Sequence, residues 1–332
     1  MAIVGHFSNL SEAQKLVQST LLAGIVQEIY EEGQLLNLLP VMTIDSKSII
    51  YNRESTLPSA AFYDIHEQIP WTADVSYATQ VEVELKRVAR QDVLDQFMMD
   101  TYKTPNDYRQ IILNELRKGV MRTIENKFIY GSSSTSAKEY DGLNVLCAPT
   151  AGGDFVGEQN LDAGGASHAL MAAELLQLID TCKPKPDILL MTRTMRNTIT
   201  AWCWGKSGAI VYASTLDQIG RRIEVIDGVR IVVSDYLSEN EADNTGVESS
   251  ATGLSSIYAI RFGSIEDGGL TLCTGGDTGG VNFFKVTNLA ALEDFDAEGL
   301  RLTAYLALAL GSTKAIARVH SIDSDRAIDT AD

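Results

Sequence analysis

The sequence predicts an α+β protein, and three patterns predict it. One long amphipathic helix starts near residue 104, short helices alternate with apolar strands in the middle of the chain, and two extended segments lie close to the C-terminus. A polar, aromatic-studded segment from Ile44 to Leu85 precedes the long helix. A loop-rich stretch of that length needs a function or a partner to offset the entropy of ordering it.

Taken in order, Ser11-Glu12-Ala13-Gln14 followed by Val17, Leu21, Leu22, Ile25, Ile29 and Tyr30 predicts a helical arm ending near Gly33. Leu35, Leu36, Leu38 and Leu39 add an apolar anchor before Pro40. From Val41 to Leu57 the pattern is extended, with a strand around Ile49, Ile50 and Tyr51. Leu57-Pro58-Ser59 interrupts it, because proline lacks a backbone donor and restrains its predecessor. Phe62, Tyr63, Ile65, Ile69, Trp71 and Tyr77 then stand among polar residues, and Thr79 to Leu85 alternates again. The whole reads as a long irregular hairpin with aromatic residues at its flank or tip. A short helix is expected from Arg87 to Met99, on Val88, Val93, Leu94, Phe97 and Met98.

The strongest local signal follows. Thr104 can cap a helix, Pro105 suits its first position, and Asp107 favours its positive end. Tyr108, Ile111, Ile112, Leu116, Val120, Ile124 and Phe128 recur at three- or four-residue spacing, opposite Arg109, Glu115, Lys118, Arg122 and Glu125. Extended to Tyr130, this spine helix is about 40 Å long at 1.5 Å per residue. Its core candidates are Ile111, Ile112, Leu116, Val120, Ile124 and Phe128.

Gly131 to Lys138 reads as a serine-rich linker and domain boundary, and Asp141-Gly142-Leu143 opens a new unit. Ala151 to Gly165 is a glycine-rich loop. Ser167 is expected to cap a helix carrying Leu170, Leu175, Leu176 and Ile179, which stops before Pro184 and Pro186. Ile188 to Met191 predicts a buried strand, followed by a helix from Thr192 to Trp202. Asp227-Gly228 between Ile223–Ile226 and Val229–Val233 is a tight hairpin turn. Ser256–Phe262, Leu270–Cys273 and Val281–Val286 supply further strands. Near the end, Leu302 to Leu310 alternates and Ala315 to Val319 follows a Gly311-Ser312 turn. Both terminal strands are expected to pack on the long helix, making a domain from the two ends of the chain.

Composition narrows the function. Forty-four acidic against 27 basic residues give a net charge of -17. Such a surface repels nucleic acid and anionic membranes. Cys147, Cys182, Cys203 and Cys273 lack metal or disulfide-scaffold spacing, and no apolar run is long enough to span a bilayer, so a chain made and kept in a cytoplasm is expected. Gly263, Gly268, Gly269, Gly275, Gly276, Gly279 and Gly280 fit neither a phosphate loop nor a dinucleotide fingerprint and are read as turns. His6, His66, His168 and His320 are dispersed. Asp64 and Glu67 form a short acidic patch suited to ion pairs between copies. Cys203 between Trp202 and Trp204 has no visible base, and Arg193, Arg196, Arg221 and Arg222 read as surface or inter-subunit pairs. These patterns predict no enzyme, no catalytic residue, no cofactor and no metal.

The succession of leading arm, extended segment, long helix, serine-glycine linker and Asp141-Gly142-Leu143 resembles the major capsid proteins of tailed bacteriophages with the Hong Kong 97-type fold. The resemblance implies an N-terminal arm at 1–43, an extended loop at 44–85, a peripheral domain at 86–138 and 290–332, and an axial domain at 139–289. It implies a structural protein of the virion, assembled in the host cytoplasm as pentamers and hexamers. The icosahedral shell would enclose double-stranded DNA without sequence-specific binding and without a membrane, with separate scaffolding, portal and decoration proteins as further partners. Phe62, Tyr63 and Trp71 are the candidate loop contacts between copies, and Val17, Leu21 and Ile25 the candidate arm contacts. Relatives that crosslink use a lysine in the extended loop; here Lys47 is near its base and no lysine occurs from Ser48 to Leu85, which implies noncovalent stabilisation. The arm begins almost at once, which implies separate scaffolding or a mature starting point. Alternative readings are a cellular nanocompartment shell enclosing protein cargo, a soluble α/β oligomeric enzyme, and a tail-assembly or binding protein.

Overall fold

The computed structural model describes residues 35–53, 60–69, 71, 79–101, 108–147, 159–163, 168–205, 212–216, 222–241, 254–275, 284–289 and 296–324. Along the chain these form α1 (Leu35–Leu38), β1 (Val41–Ile44), β2 (Ser48–Arg53), β3 (Thr79–Glu84), β4 (Lys86–Asp95), α2 (Gln96–Thr101) and α3 (Tyr108–Tyr130). Then come α4 (Leu143–Leu146), β5 (Asn160–Asp162), α5 (Ala172–Thr181), β6 (Ile188–Met191), α6 (Arg193–Gly205), β7 (Tyr212–Leu216), β8 (Arg222–Ile226) and β9 (Val229–Val233). β10 (Leu254–Ile260), β11 (Leu270–Gly275), β12 (Phe284–Leu289), β13 (Ala297–Leu310) and β14 (Ile316–Asp323) complete the order.

The described strands make three sheets. A seven-stranded sheet runs β5-β14-β10-β6-β9-β8-β7, with β14/β5 and β6/β9 parallel and its other pairs antiparallel. Its centre is apolar on both faces because both are covered. Ile188 and Leu190 face one core with Tyr258 and Ile260, while Leu189 and Met191 face another with Leu178, Met195 and Ile199 of α5 and α6. At the edge, Asp227 and Gly228 both take positive φ, 46° and 78°, in a two-residue turn that joins Ile226 to Val229.

The second sheet is built on β13. β4 pairs along one side of it, from Ala297↔Asp95 to Leu306↔Lys86, while β12 and β11 share the other side and β1 adds to β11 in parallel. The third sheet is the antiparallel hairpin of β2 and β3. A continuous core binds these parts: Val120, Ile124, Phe128 and Ile129 of α3 meet Leu35, Leu36 and Leu39, Leu272 of β11, Leu302 to Leu310 of β13, and Leu190 and Tyr258 of the seven-stranded sheet.

Several sequence expectations change. Residues 86–95 are a strand, not the start of a helix over Arg87–Met99; only Gln96–Thr101 is helical. Pairing with β13 over ten residues overrides a spacing that suits either conformation. Thr104, Pro105 and Asp107, expected to open the long helix, lie outside the described residues, as does Ser167. α5 is capped at Met171, whose amide donates to Glu174 Oε2 at 2.9 Å. The two terminal strands separate: β13 joins the sheet beside α3, but β14 crosses to the seven-stranded sheet between β5 and β10. Residues 131–142 are a tight knot. Gly142 N donates to Gly131 O at 2.9 Å, Ser133 N to Asp141 Oδ1 at 2.7 Å, and Tyr140 Oη to Ile124 O at 3.1 Å. A Cβ on Gly131 would lie 2.4 Å from the Tyr140 carbonyl oxygen, so only glycine admits this approach.

Glu125 is a buried carboxyl in this core, 3 % exposed. Its Oε1 accepts from Leu36 N at 3.4 Å, while Oε2 has no hydrogen-bond partner among the described residues. Burial raises its pKa from an ordinary 4.5 to about 7, against the lowering effect of the Leu36 amide. Raising a carboxyl's folded pKa favours the folded state at low pH, so this contribution is full below about 4.5 and is lost as pH rises towards 7. The difference corresponds to on the order of 3 kcal/mol. Glu125→Gln is therefore expected to remove the part of the fall in unfolding free energy that the parent shows between pH 4.5 and 7. Urea unfolding of both proteins across that range measures it; parallel pH profiles would refute the assignment.

Candidate assembly surface

The hairpin is laid on the molecule by alternation. Ile49, Tyr51 and Arg53 are turned inward on β2 while Ile50 and Asn52 are exposed, and Val81 and Val83 are partly covered on β3. Ile49, Val83 and Leu85 pack on Ile44, Cys273, Ala307 and Ala309 of the β13 sheet. Two side chains then pin the far end. Tyr51 Oη donates to Leu310 O at 2.6 Å, and Arg53 donates from Nη2 to Leu310 O at 2.6 Å and from Nε to Gly311 O at 3.1 Å. The guanidinium lies 5.7 Å from the Tyr51 ring centre, a cation–π stack that stiffens both. At the base, Lys47 and Lys86 both bond Glu84 at 2.8 Å, and these two contacts hold its carboxyl down at about 2.

Beyond Arg53 the character inverts. Trp71 is 102 % exposed and Phe62 107 %, with Ile65, Ile69 and Tyr63 also open to solvent. Isolated apolar residues on a surface are ordinary, but five within one short segment are not. The segment is nonetheless shaped: Glu67 Oε2 accepts from Asp64 N, Asp64 Oδ1 from Ile65 N, and Glu67 N donates to Asp64 O, a turn that His66 completes at φ 72°. The carboxylates of Asp64 and Glu67 thus organise a turn within one copy.

The expected sites fall as follows. Phe62, Tyr63 and Trp71 lie on this open segment, while Val17, Leu21 and Ile25 lie outside the described residues. On α3, Ile112, Leu116, Val120, Ile124 and Phe128 are buried and Ile111 is half-buried. Gly263 and Gly269 pack backbone against backbone in a turn, and Gly276, Gly279 and Gly280 lie outside the described residues. His320 is buried, its Nδ1 2.8 Å from Ser321 Oγ. His66 and His168 take positive φ, and His6 is outside the described residues. Burial raises the Cys203 thiol pKa, the wrong direction for a nucleophile. Arg193 bonds Asp235 at 3.1 Å, and Arg196 is 3.9 Å from Glu224. Among the described residues no group of three or more His, Cys, Asp or Glu could hold a metal ion, and no helix is long and apolar enough to cross a membrane.

Sequence reasoning missed Tyr51 and Arg53 as anchors. Their signal was available: an aromatic and a cation two residues apart share one strand face. It also missed Arg318, the one charge in the apolar run Ile316 to Val319.

The family model described as "Phage capsid family" matches residues 13–260, about three quarters of the chain. The SrpI encapsulin of Synechococcus elongatus PCC 7942, solved as the holo complex, is similar over 98 % of this chain and 100 % of its own, at TM-score 0.70 and 16 % identity. The capsid of a native GTA particle is similar over 95 % and 99 %, at 0.64 and 13 % identity. The capsid of Microbacterium phage Oxtober96 is similar over 93 % and 97 %, at 0.59 and 14 % identity. No curated protein matches the sequence. At these identities the likeness establishes the fold, a mixed α/β Hong Kong 97-type architecture shared by capsids and encapsulins.

Arg53→Ala is expected to loosen the hairpin without unfolding the subunit. Amide exchange of residues 49–53 and 80–84 should speed about tenfold, the loss of roughly one net hydrogen bond, while global unfolding changes by about 1 kcal/mol or less. Unchanged exchange there would show that the anchor lies elsewhere.

Proposed function

The chain belongs to the phage capsid family, and from that premise we propose that it is a structural subunit that self-assembles into a closed icosahedral shell. The observation that carries this reading is the contrast along the hairpin, pinned by Tyr51 and Arg53 and open at Phe62, Ile65, Ile69 and Trp71. An apolar surface that is not buried against its own core is suited to a neighbour's surface. In this reading Phe62, Tyr63 and Trp71 touch the next copy and α3 is the spine. The sheet on β13 forms a peripheral domain and the seven-stranded sheet with α5 and α6 an axial domain. β14 belongs to the axial domain in this division, and β11 and β12 to the peripheral one. Val17, Leu21 and Ile25 remain the arm contacts.

Of the two shells such a subunit can build, a compartment enclosing protein cargo is favoured, because the encapsulin likeness spans all of that chain at the higher TM-score. The second reading, a virion shell around double-stranded DNA, draws on the family match and the phage capsids. Electron microscopy of native particles with a nuclease-protection assay separates them. Uniform shells without protected nucleic acid are expected. Protected double-stranded DNA would move the assignment to a virion, and a small uniform oligomer would reject both.

Trp71→Ala is expected to cut particle yield about tenfold or more, as loss of an aromatic interface anchor does, while the thermal midpoint of the subunit stays within ~2 °C. Normal shells from this variant would remove Trp71 from the contact.

A further inference from the structure

The sheet built on β13 has two faces of opposite character. Leu302, Ala304 and Leu306 turn one face into the core beside α3, and the hairpin of β2 and β3 covers Ala307 and Ala309 on the other. The rest of that second face, around residues 301–305, is open. Residues paired across antiparallel strands share a face and alternate along each strand. The register therefore sets Arg301 beside Gln91 and Thr287, and Tyr305 beside Arg87. Lys285 pairs with Thr303 between them. Arg87, Gln91, Lys285, Arg301 and Tyr305 are all exposed.

Charge on this open face is of one sign. Over residues 87–91, 285–287 and 301–305 it presents Arg87, Lys285 and Arg301 and no carboxylate, on a chain with 44 acidic against 27 basic residues. The adjoining acids belong elsewhere. Asp92 pairs with Leu300 and Glu298 with Leu94, on the side facing α3, where Glu298 lies 3.9 Å from Arg109. Glu84, at the hairpin base, is already held by Lys47 and Lys86. Among the described residues none of the three cations is in an ion pair. Arg301 is nevertheless oriented, because its Nε and Nη2 donate to Gln91 Oε1 at 3.2 and 3.0 Å. A neutral amide holds the guanidinium in place and leaves its charge uncompensated.

We propose that the open face of β4, β13 and β12 docks a short acidic peptide segment of a partner protein, whose carboxylates bond Arg87, Lys285 and Arg301. Spacing fits an extended segment. With strands about 4.8 Å apart and a rise of about 3.4 Å per residue, the Cα atoms of the three cations lie roughly 8 to 14 Å from one another. Carboxylates at alternate positions of an extended peptide recur about every 7 Å and reach all three. Size disfavours a nucleic acid. Duplex DNA carries a charge every ~1.7 Å along an axis that outruns the patch. More than a ~8 Å screening length beyond the cations, it meets the remaining surface of a chain at -17. A short acidic segment meets the cations alone. The inference stands on the face of a single subunit and goes beyond the shell reading.

Fluorescence anisotropy of a dye-labelled peptide of alternating Asp and Ser, titrated with the full-length protein at low salt, tests it. Saturable binding is expected. Lys285→Gln is expected to weaken it about two- to fivefold, the loss of one exposed charge pair. Lys314→Gln, the same charge change at an exposed cation off this face, should leave it unchanged. The triple variant Arg87→Gln, Lys285→Gln, Arg301→Gln is expected to weaken binding about tenfold or more and to keep its thermal midpoint within ~2 °C, since all three side chains are exposed. No saturable binding, or equal losses from Lys285→Gln and Lys314→Gln, overturns the proposal. A duplex DNA oligonucleotide should bind more weakly than the peptide. Tighter DNA binding that the triple variant abolishes would give the face to nucleic acid and overturn the acidic-peptide assignment. Should the triple variant fail to fold, the comparison of Lys285→Gln with Lys314→Gln decides.

Discussion

The arrangement of the subunit depends on one buried charge. Arg318, fully enclosed on β14, donates to Glu241 Oε2 and Asn144 Oδ1 at 3.0 Å and to Ser256 Oγ at 3.0 and 3.1 Å, with its guanidinium 5.5 Å from the centre of the Tyr258 ring. Glu241 also accepts from the hydroxyls of Ser256 and Tyr130, and Tyr130 Oη accepts from Ser238 N at 2.8 Å. Desolvating an ion pair costs about what its attraction returns, so the network adds little stability over an apolar replacement, but losing one partner strands a charge at roughly 3 to 5 kcal/mol. Its effect is therefore geometric. The end of α3, the start of α4 and the centre of the seven-stranded sheet must meet where these atoms converge. The neighbouring phenols of Tyr130 and Tyr258 are driven far above their usual range by burial, which keeps them neutral.

That fixed point is transmitted outward. α3 shares one core with β13, β13 ends at Leu310, and the carbonyls of Leu310 and Gly311 hold the hairpin through Tyr51 and Arg53. The hairpin's anchor and the buried charge network thus border one continuous core. Net charge adds a second constraint. Copies carrying -17 each repel over the ~8 Å screening length of physiological salt, so cohesion between them must come from short-range apolar burial and from places where cations gather. The exposed apolar residues Phe62, Ile65, Ile69 and Trp71 meet the first of these conditions.

Much of this was legible in the sequence where local chemistry decides. Ile188 to Met191 reads as a buried strand because four consecutive apolar residues leave no wet face, and Asp227-Gly228 reads as a turn because both positions need positive φ. The exposed character of Phe62 and Trp71 could be argued from their polar surroundings. What failed was pairing between distant segments. Val88, Val93 and Leu94 satisfy a helical spacing and a strand equally, and only β13, some 200 residues later, selects the strand. β14 looks like a partner for β13 because a short turn joins them, yet Arg318 needs Glu241 and Ser256, and those lie on the other sheet. The serine-rich stretch after Tyr130 reads as a linker by composition, whereas Gly131 and Gly142 close it by backbone contact that no pattern reveals.

The same division separates folding from association. The inner face of the hairpin completes the subunit's own packing, through Ile49, Val83 and Leu85 on Ala307 and Ala309, so the chain does not need a neighbour to bury those residues. Its tip contributes nothing to that core: Trp71 and Phe62 leave no area to lose within one copy. The turn at Asp64 and Glu67 is likewise closed by bonds within the segment itself, so its shape does not call on another copy. In the proposed shell, association would then follow concentration rather than folding. A shell needs this property, since copies that could fold only on contact would have no uniform shape with which to close a curved wall.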